Sequence, residues 1–357
     1  MRKVILSFSF LLLSGLRLSP HKARRLAQSF NALPKNSEGR FLFLLNFRDR
    51  EVWQILFFIE FQTVNQYYSS VKFLPKILII LGPTASGKSD LAVKLAKERN
   101  GEIISADSRQ VYKGLNIGAG KITKKEMMGI PHHLLDVVSP KKVFTVSDYS
   151  YLAHKAIKDI LSRGKLPIVC GGTGFYIDAI LYGDFFASVP PNQPLRNKLS
   201  KLTTEELAKE LSELDPDRFA SVDTKNRIRL IRSLEIVLIT GKPVPRIKKK
   251  PIYDAEKIGL LWPMKELDER IELRLDKRLA PRADGGMIQE VSDLRKKGLS
   301  WKRLYELGLE YRYISLYLKG ELNYEEMREK LLTAIKQYAR RQMTWFKRDK
   351  SINWIPR

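Results

Sequence analysis

Eight consecutive residues, Gly82-Pro83-Thr84-Ala85-Ser86-Gly87-Lys88-Ser89, fit the pattern G-x-x-x-x-G-K-[ST] at every required position. The apolar run from Ile77 leads into them and an amphipathic segment reaching Ala96 follows. A glycine-rich turn between a strand and a helix N-terminus offers consecutive backbone N–H groups to an anion. Lys88 adds a positive charge, and the Ser89 hydroxyl can reach a phosphate-bound Mg2+. The motif therefore calls for a phosphate without saying which one, or what becomes of it.

A second acidic position follows. The stretch GEIISADSRQVYKGLNIGAGKIT predicts a strand over Glu102–Ala106 that ends in Asp107 and Ser108. An aspartate at the carboxyl end of a strand beside the P-loop strand lies where α/β sheets bind ligands. In a kinase it would hold Mg2+ or orient a nucleophile. Further on, GGTGFY repeats the logic, with backbone amides and the Thr173 hydroxyl at a strand-to-helix junction; taken alone it reads as a tight turn that needs glycine. His132 and His133 are adjacent, which is a poor chelate, and they are expected to line a turn rather than hold metal.

The elements that must position these residues alternate strand and helix, which predicts an α/β fold of P-loop NTPase type with a parallel sheet flanked by helices. The chain has 357 residues, room for two or three domains, and carries 64 Lys+Arg against 39 Asp+Glu, a formal charge of +25. Such a field draws in nucleic acid and serves no purpose for a neutral substrate. Lys225 to Lys250 holds nine basic residues and one acid, Glu235, with Arg229 and Arg232 on one helical face. Residues 336–350 hold six basic residues, one acid, and Trp345 and Phe346. Basic groups interleaved with aromatics suit a splayed RNA loop, whereas any one such run would more ordinarily be a solvated helix. The single cysteine, Cys170, excludes internal disulfides and cysteine-based zinc, and fits a reducing cytoplasm.

Residues 1–74 differ from the rest. Two basic residues precede the apolar run Val4–Leu16, which resembles a signal-peptide core but lacks a small-x-small cleavage site. That run is also too short for a bilayer, which needs about 20 apolar residues. An upstream-extended reading frame, with the true start near Val71 or Leu74, is the expectation; a membrane-associated extension is its rival. No stable membrane association is expected for the remainder.

Taken in order, GPTASGKS, DSRQVYKGLNIG, IPHHLLDV, GGTGFYI, NRIRLIRSLEIVLITGKP and ARRQMTWFKR closely resemble the tRNA dimethylallyltransferase family, also called tRNA isopentenyltransferase. The resemblance spans roughly Pro75 to Pro356. Ser89 stands for the usual threonine, IGAGKIT replaces a Thr-Ala-Lys-Pro-like run, and LGLEYR replaces a Gly-Tyr-Lys/Arg arrangement.

The resemblance implies transfer of a dimethylallyl group from its diphosphate to the exocyclic amine of an adenine 3′ of the tRNA anticodon. Residues 82–89 would then cradle the allylic diphosphate, the leaving group, with Mg2+ on Ser89 and Arg196 pairing with the diphosphate. Asp107 would be the general base. Thr173 would bond from the opposite side, and Ser108, Arg109 and Gln110 would meet the base in the same loop. It implies a catalytic core over 75–191, an inserted helical tRNA-binding domain over 192–250, and C-terminal helices over 251–357. The RNA contacts would include Arg229, Arg232, Tyr311, Arg312, Arg340, Arg341, Gln342, Trp345 and Lys347. A monomer acting on the anticodon stem-loop is expected. A P-loop nucleoside or small-molecule kinase, a prenyltransferase of free adenine nucleotides, and a non-catalytic RNA-binding module remain the alternatives.

Overall fold

The two central strand segments, KILIIL (76–81) and LPIVCG (166–171), are short and almost wholly apolar, as a sheet covered on both faces requires. The computed structural model describes residues 74–183, 189–245, 250–280 and 285–357. Six strands, β1 (Lys76–Leu81), β2 (Gly101–Ser105), β3 (His132–His133), β4 (Leu166–Gly171), β5 (Asp254–Leu261) and β6 (Asn353–Pro356), form one sheet. Their order is β3-β2-β4-β1-β5-β6 and every pairing is parallel. Alternation along β1 divides the core. Ile77, Ile79 and Leu81 pack with residues of α2 (Val146–Ser162), α3 (Gly174–Tyr182), α8 (Met264–Leu279) and α12 (Tyr324–Phe346). Leu78 and Ile80 pack with Ala92, Val93 and Ala96 of α1 (Lys88–Glu98).

The paired histidines form the edge strand β3 rather than a turn, matched to Ile103 and Ile104 of β2. His133 Nε2 lies 2.8 Å from a carboxylate oxygen of Glu102, whose side chain also receives Arg163 and Lys165. Four short helices follow α3: α4 (Gln193–Leu199), α5 (Thr204–Leu214), α6 (Pro216–Ser221) and α7 (Arg227–Thr240). They enclose a small core of their own, built from Leu199, Leu207, Leu211, Leu230 and Leu234. Side-chain caps start these helices: Asn192 accepts from Leu195 N, Thr203 and Glu206 form a capping box, and Asn226 accepts from Arg229 N.

After β5 come α8, α9 (Gly286–Lys296), α10 (Trp301–Leu307), α11 (Leu309–Leu318) and α12, and β6 closes the sheet edge beside β5. Residues Phe73–Arg357 form one compact unit, and the helical segment belongs to it. The expectations for the N-terminal extension, Leu74 apart, fall outside the described residues. Among the described residues no helix is long and apolar enough to cross a membrane.

Candidate active site

The P-loop leaves β1 through backbone that favours glycine. Gly87 has φ 85°, and at Gly82 an added Cβ would come within 3.1 Å of the Leu260 carbonyl. The outer carbonyls of the loop are held. Trp262 Nε1 donates to Ser86 O at 3.0 Å and Arg270 Nε donates to Ala85 O at 3.0 Å, while the Arg270 guanidinium lies 4.2 Å above the Trp262 ring. The first amides of α1 have no acceptor within the helix, the arrangement by which helix N-termini bind anions. Lys88 Nζ meanwhile donates to Pro83 O at 2.6 Å. Burial draws its pKa down from 10.5 to about 8, against the opposing charge of Asp107.

A cleft of about 880 Å3 opens beside Lys88 and Ser89. Its walls carry Lys121, Arg270, Arg274, Lys277 and Arg278. Arg274 projects from α8 against Gly120, where an added Cβ would meet its Nη2 at 2.0 Å. Burial and the neighbouring Arg278 charge both work against the Arg274 cation. Among the described residues no hydrogen bond or ion pair engages it, so an anion in the cleft would supply what it lacks.

The second glycine-rich turn lies at the end of β4. A Cβ on Gly171 would collide with the Ala106 carbonyl at 2.2 Å, so glycine there lets the ends of β2 and β4 close up. Thr173 N donates to Ala106 O at 3.1 Å, and Ser108 N donates to Thr173 Oγ1 at 3.2 Å. Asp107 is thereby fixed beside Thr173. Its Oδ1 accepts from Arg109 N (2.7 Å) and Gln110 N (3.3 Å), an Asx turn, and its Oδ2 has no hydrogen-bond partner among the described residues. Gln110 is turned away from a base: its Oε1 accepts from Ser105 Oγ at 2.9 Å and its Nε2 donates to Gly120 O at 3.2 Å.

One face of α12 covers this turn. Tyr338 lies beside the Thr173 side chain, and burial together with the Asp107 charge pushes its phenol up to about 12. Gln342 donates to Gly172 O and accepts from Thr84 N, both at 2.8 Å, so one buried amide joins the two glycine-rich turns. Trp345 packs on Gly174, where a Cβ would approach its ring to 2.3 Å, and meets Phe175 edge-on at 6.4 Å.

Several expected RNA contacts take other roles. Gln342 is 6% exposed and engaged at both ends, so it braces the turns and offers nothing to a base. Tyr311, only 1% exposed, donates its hydroxyl to Glu290 at 3.0 Å and has no face for stacking. Arg196 belongs to α4, does not line the cleft, and grips Glu235 through Nε and Nη2 at 2.8 Å each; it is no diphosphate ligand here. Arg232 pairs with the same carboxylate and donates to Val189 O. Arg340 pairs with Asp268, and Arg312 stacks over Tyr305 at 4.4 Å. Arg229, Arg341 and Lys347 are exposed.

Arg274 and Tyr338 escaped the sequence reading. Tyr338, Gln342 and Trp345 stand at i, i+4 and i+7 in KQYARRQMTW, a single helical stripe beneath the more conspicuous basic residues. Arg274 had no such signal, being one of five basic residues interspersed with five acidic ones from Lys265 to Arg278.

A family model described as IPP transferase matches residues 110–349. The tRNA dimethylallyltransferase of Caldanaerobacter subterraneus subsp. tengcongensis is 41% identical over 291 residues, 78% of this chain and 91% of that one. The tRNA dimethylallyltransferase 2 of Trichlorobacter lovleyi is 43% identical over 283 residues, with the same coverages. Among solved structures, the full-length tRNA isopentenylpyrophosphate transferase of Bacillus halodurans superposes with a TM-score of 0.59 at 35% identity, covering 79% of this chain and 89% of that one. A eukaryotic dimethylallyltransferase acting on tRNA gives 0.68 at 27% identity, covering 79% and 74%. A family model that matches most of the compact unit, and relatives so similar over nine-tenths of their own length, make this chain a member of the IPP transferase family.

Proposed function

We propose that the protein transfers a dimethylallyl group from dimethylallyl diphosphate to the exocyclic amine of the adenine 3′ of the anticodon in tRNA. The observation that carries this is the pairing of a cation-walled P-loop cleft with a carboxylate, Asp107, that has one oxygen unengaged and is fixed to the neighbouring turn through Ser108 and Thr173. In the reaction the amine lone pair forms a bond to C1 of the allyl group, the C1–O bond breaks, and diphosphate leaves with the bonding electrons. Asp107 takes the proton lost by the amine. Lys88 and Arg274 neutralise the charge that grows on the leaving oxygens, the part of the reaction most in need of stabilisation. An adenine stacked in an anticodon loop has to be flipped out to reach Asp107.

Mg2+ fits the donor set. Ser89 lines the cleft beside Lys88, and among the described residues no cluster of three metal-ligating side chains exists. Mg2+ commonly takes one protein oxygen, the phosphates and water. Bound on Ser89, it would share the diphosphate charge. The acceptor strand would run over the exposed basic groups Arg229, Arg341 and Lys347. We infer action as a monomer in the cytoplasm, since both glycine-rich turns and Asp107 come from one chain.

The test incubates purified protein with an anticodon stem-loop and dimethylallyl diphosphate, followed by mass analysis of the nucleosides. Dimethylallyl-adenosine and free diphosphate in equal amounts are expected. Consumption of the ATP γ-phosphate on adding RNA, with no prenylated nucleoside, would replace this reading with a kinase.

A further inference from the structure

The loop between Asp107 and β3 is held by a carboxylate from a distant helix. Glu290, on α9, accepts from three consecutive backbone amides: Asn116 N at 2.9 Å, Ile117 N at 2.7 Å and Gly118 N at 3.0 Å. Its Oε1 also accepts from the Tyr311 hydroxyl at 3.0 Å. Three successive amides converging on one carboxylate is the geometry by which such loops bind anions, here filled by the protein itself. From the other side Arg278 Nη1 donates to the carbonyls of Ile117 (3.1 Å) and Gly118 (3.0 Å). The loop then runs between two side chains with no space to spare. At Gly118 a Cβ would strike the Tyr311 ring at 2.7 Å, and at Gly120 it would strike the Arg274 guanidinium at 2.0 Å.

Gly120 thus forms the surface against which Arg274 rests, and its carbonyl also receives Gln110 from the Asp107 turn. A shift of the loop displaces a guanidinium that no hydrogen bond or ion pair restrains among the described residues, and disturbs the turn that fixes the base. We propose that Glu290 is a positioning residue for transfer: it locks the 116–120 loop so that Arg274 is aimed at the leaving diphosphate. The inference rests on the transfer reaction proposed above. Glu290 lines the cleft wall, but its carboxylate is spent on the loop's amides and the Tyr311 hydroxyl, so it acts on the diphosphate only through the residues it sets in place.

The experiment compares the full-length protein with Glu290→Ala, Glu290→Gln, Arg274→Ala and the Arg274→Ala/Glu290→Ala double variant. It measures kcat and KM for dimethylallyl diphosphate with an anticodon stem-loop, calorimetric affinity for inorganic diphosphate, and Tm. Misplacing a catalytic group by about 1 Å can cost about 100-fold, so Glu290→Ala should lower kcat by about 10- to 100-fold well below its Tm. KM for the stem-loop should change less than threefold. Glu290→Gln keeps one acceptor oxygen and should recover part of the loss; it also serves if the alanine variant fails to fold. In the Arg274→Ala background, removing Glu290 should cost less than a further twofold. Unchanged kcat with a lowered Tm would make Glu290 purely structural and overturn the proposal. Full additivity with Arg274 would overturn it too. If wild-type protein makes no prenylated nucleoside, the transfer reading fails by itself. The inorganic-diphosphate affinities still decide whether Glu290 acts through Arg274.

Discussion

The P-loop core and the inserted helices use charge in opposite ways. In the core, the cations Lys88, Arg270 and Arg274 line a cleft, and their positions follow from backbone: a glycine-rich turn, a helix N-terminus, a glycine that lets a guanidinium approach. In the insertion, Arg196 and Arg232 are consumed by one carboxylate, Glu235, which is 0% exposed and also accepts from Asn192 N at 2.7 Å. The same residue type thus lines an open cleft in one region and acts as a structural rivet in the other. Counting basic residues cannot separate the two, whereas the partner that faces each one does.

The largest expected effect tests the core. Asp107→Asn keeps the shape and the Asx turn but cannot take a proton. Transfer should fall by about 10²–10⁴-fold, the usual worth of general base catalysis, with inorganic diphosphate affinity within about threefold. Single-turnover rates against calorimetric affinities separate these quantities. Near-normal turnover would reduce Asp107 to a positioning group.

The next tests the rivet. Glu235→Ala leaves two arginines facing each other without their counter-charge. Breaking a buried pair costs about 3–5 kcal/mol; both arginines are partly exposed, so about 2–3 kcal/mol is expected, read by urea denaturation. Burial raises the Glu235 pKa, but hydrogen bonds from Arg196, the Asn192 amide and Arg232 outweigh it, and the result is a fall from 4.5 to about 2. Because the folded value lies below the unfolded one, its stabilisation is complete above about pH 4.5 and lost as pH falls toward 2. The alanine variant should lack that part of the acid transition.

A smaller effect concerns Lys88. With a folded-state pKa of about 8, its ammonium is intact below pH 8 and is lost above it. Diphosphate wants the charged form, so binding above pH 8 takes up a proton and affinity should fall by up to about tenfold per pH unit. Lys88→Ala should bind more weakly at pH 7 and lose that slope. An identical slope in the variant would assign the titration to another group.

What was legible in the sequence follows the same division. The placement of the P-loop, Asp107 and the Thr173 turn is readable because it depends on backbone conformation, which glycine and spacing encode locally. The parallel sheet followed from alternating apolar strands and helices. Tyr311, Gln342 and Arg196 take roles that the sequence hides because their partners lie 21, 170 and 39 residues away; the Arg232–Glu235 pair, three residues apart, was visible locally but is outweighed in the sequence by the surrounding basic run. Arg274 was missed for the same reason: its surroundings are assembled from Gly120 and the P-loop, far off in sequence.

The smallest expected effect is also the one that separates the two arginines of α7. Arg229 is exposed and its backbone amide, not its guanidinium, is what the Asn226 cap receives, whereas Arg232 is bound to Glu235 and Val189. If RNA phosphate lies over this helix, Arg229→Ala should reduce the log–log salt dependence of stem-loop binding by about 0.7–0.9, the worth of one phosphate contact. Arg232→Ala should instead lower the melting temperature while leaving that slope nearly unchanged, since its charge is already neutralised by Glu235. Filter binding across a salt series, with both variants held well below their melting temperatures, distinguishes the roles. Diphosphate affinity should be unaltered in each, because neither arginine lines the cleft. Equal slope changes for the two would mean that RNA draws Arg232 away from Glu235, and the insertion would then be a second ligand site rather than a rivet.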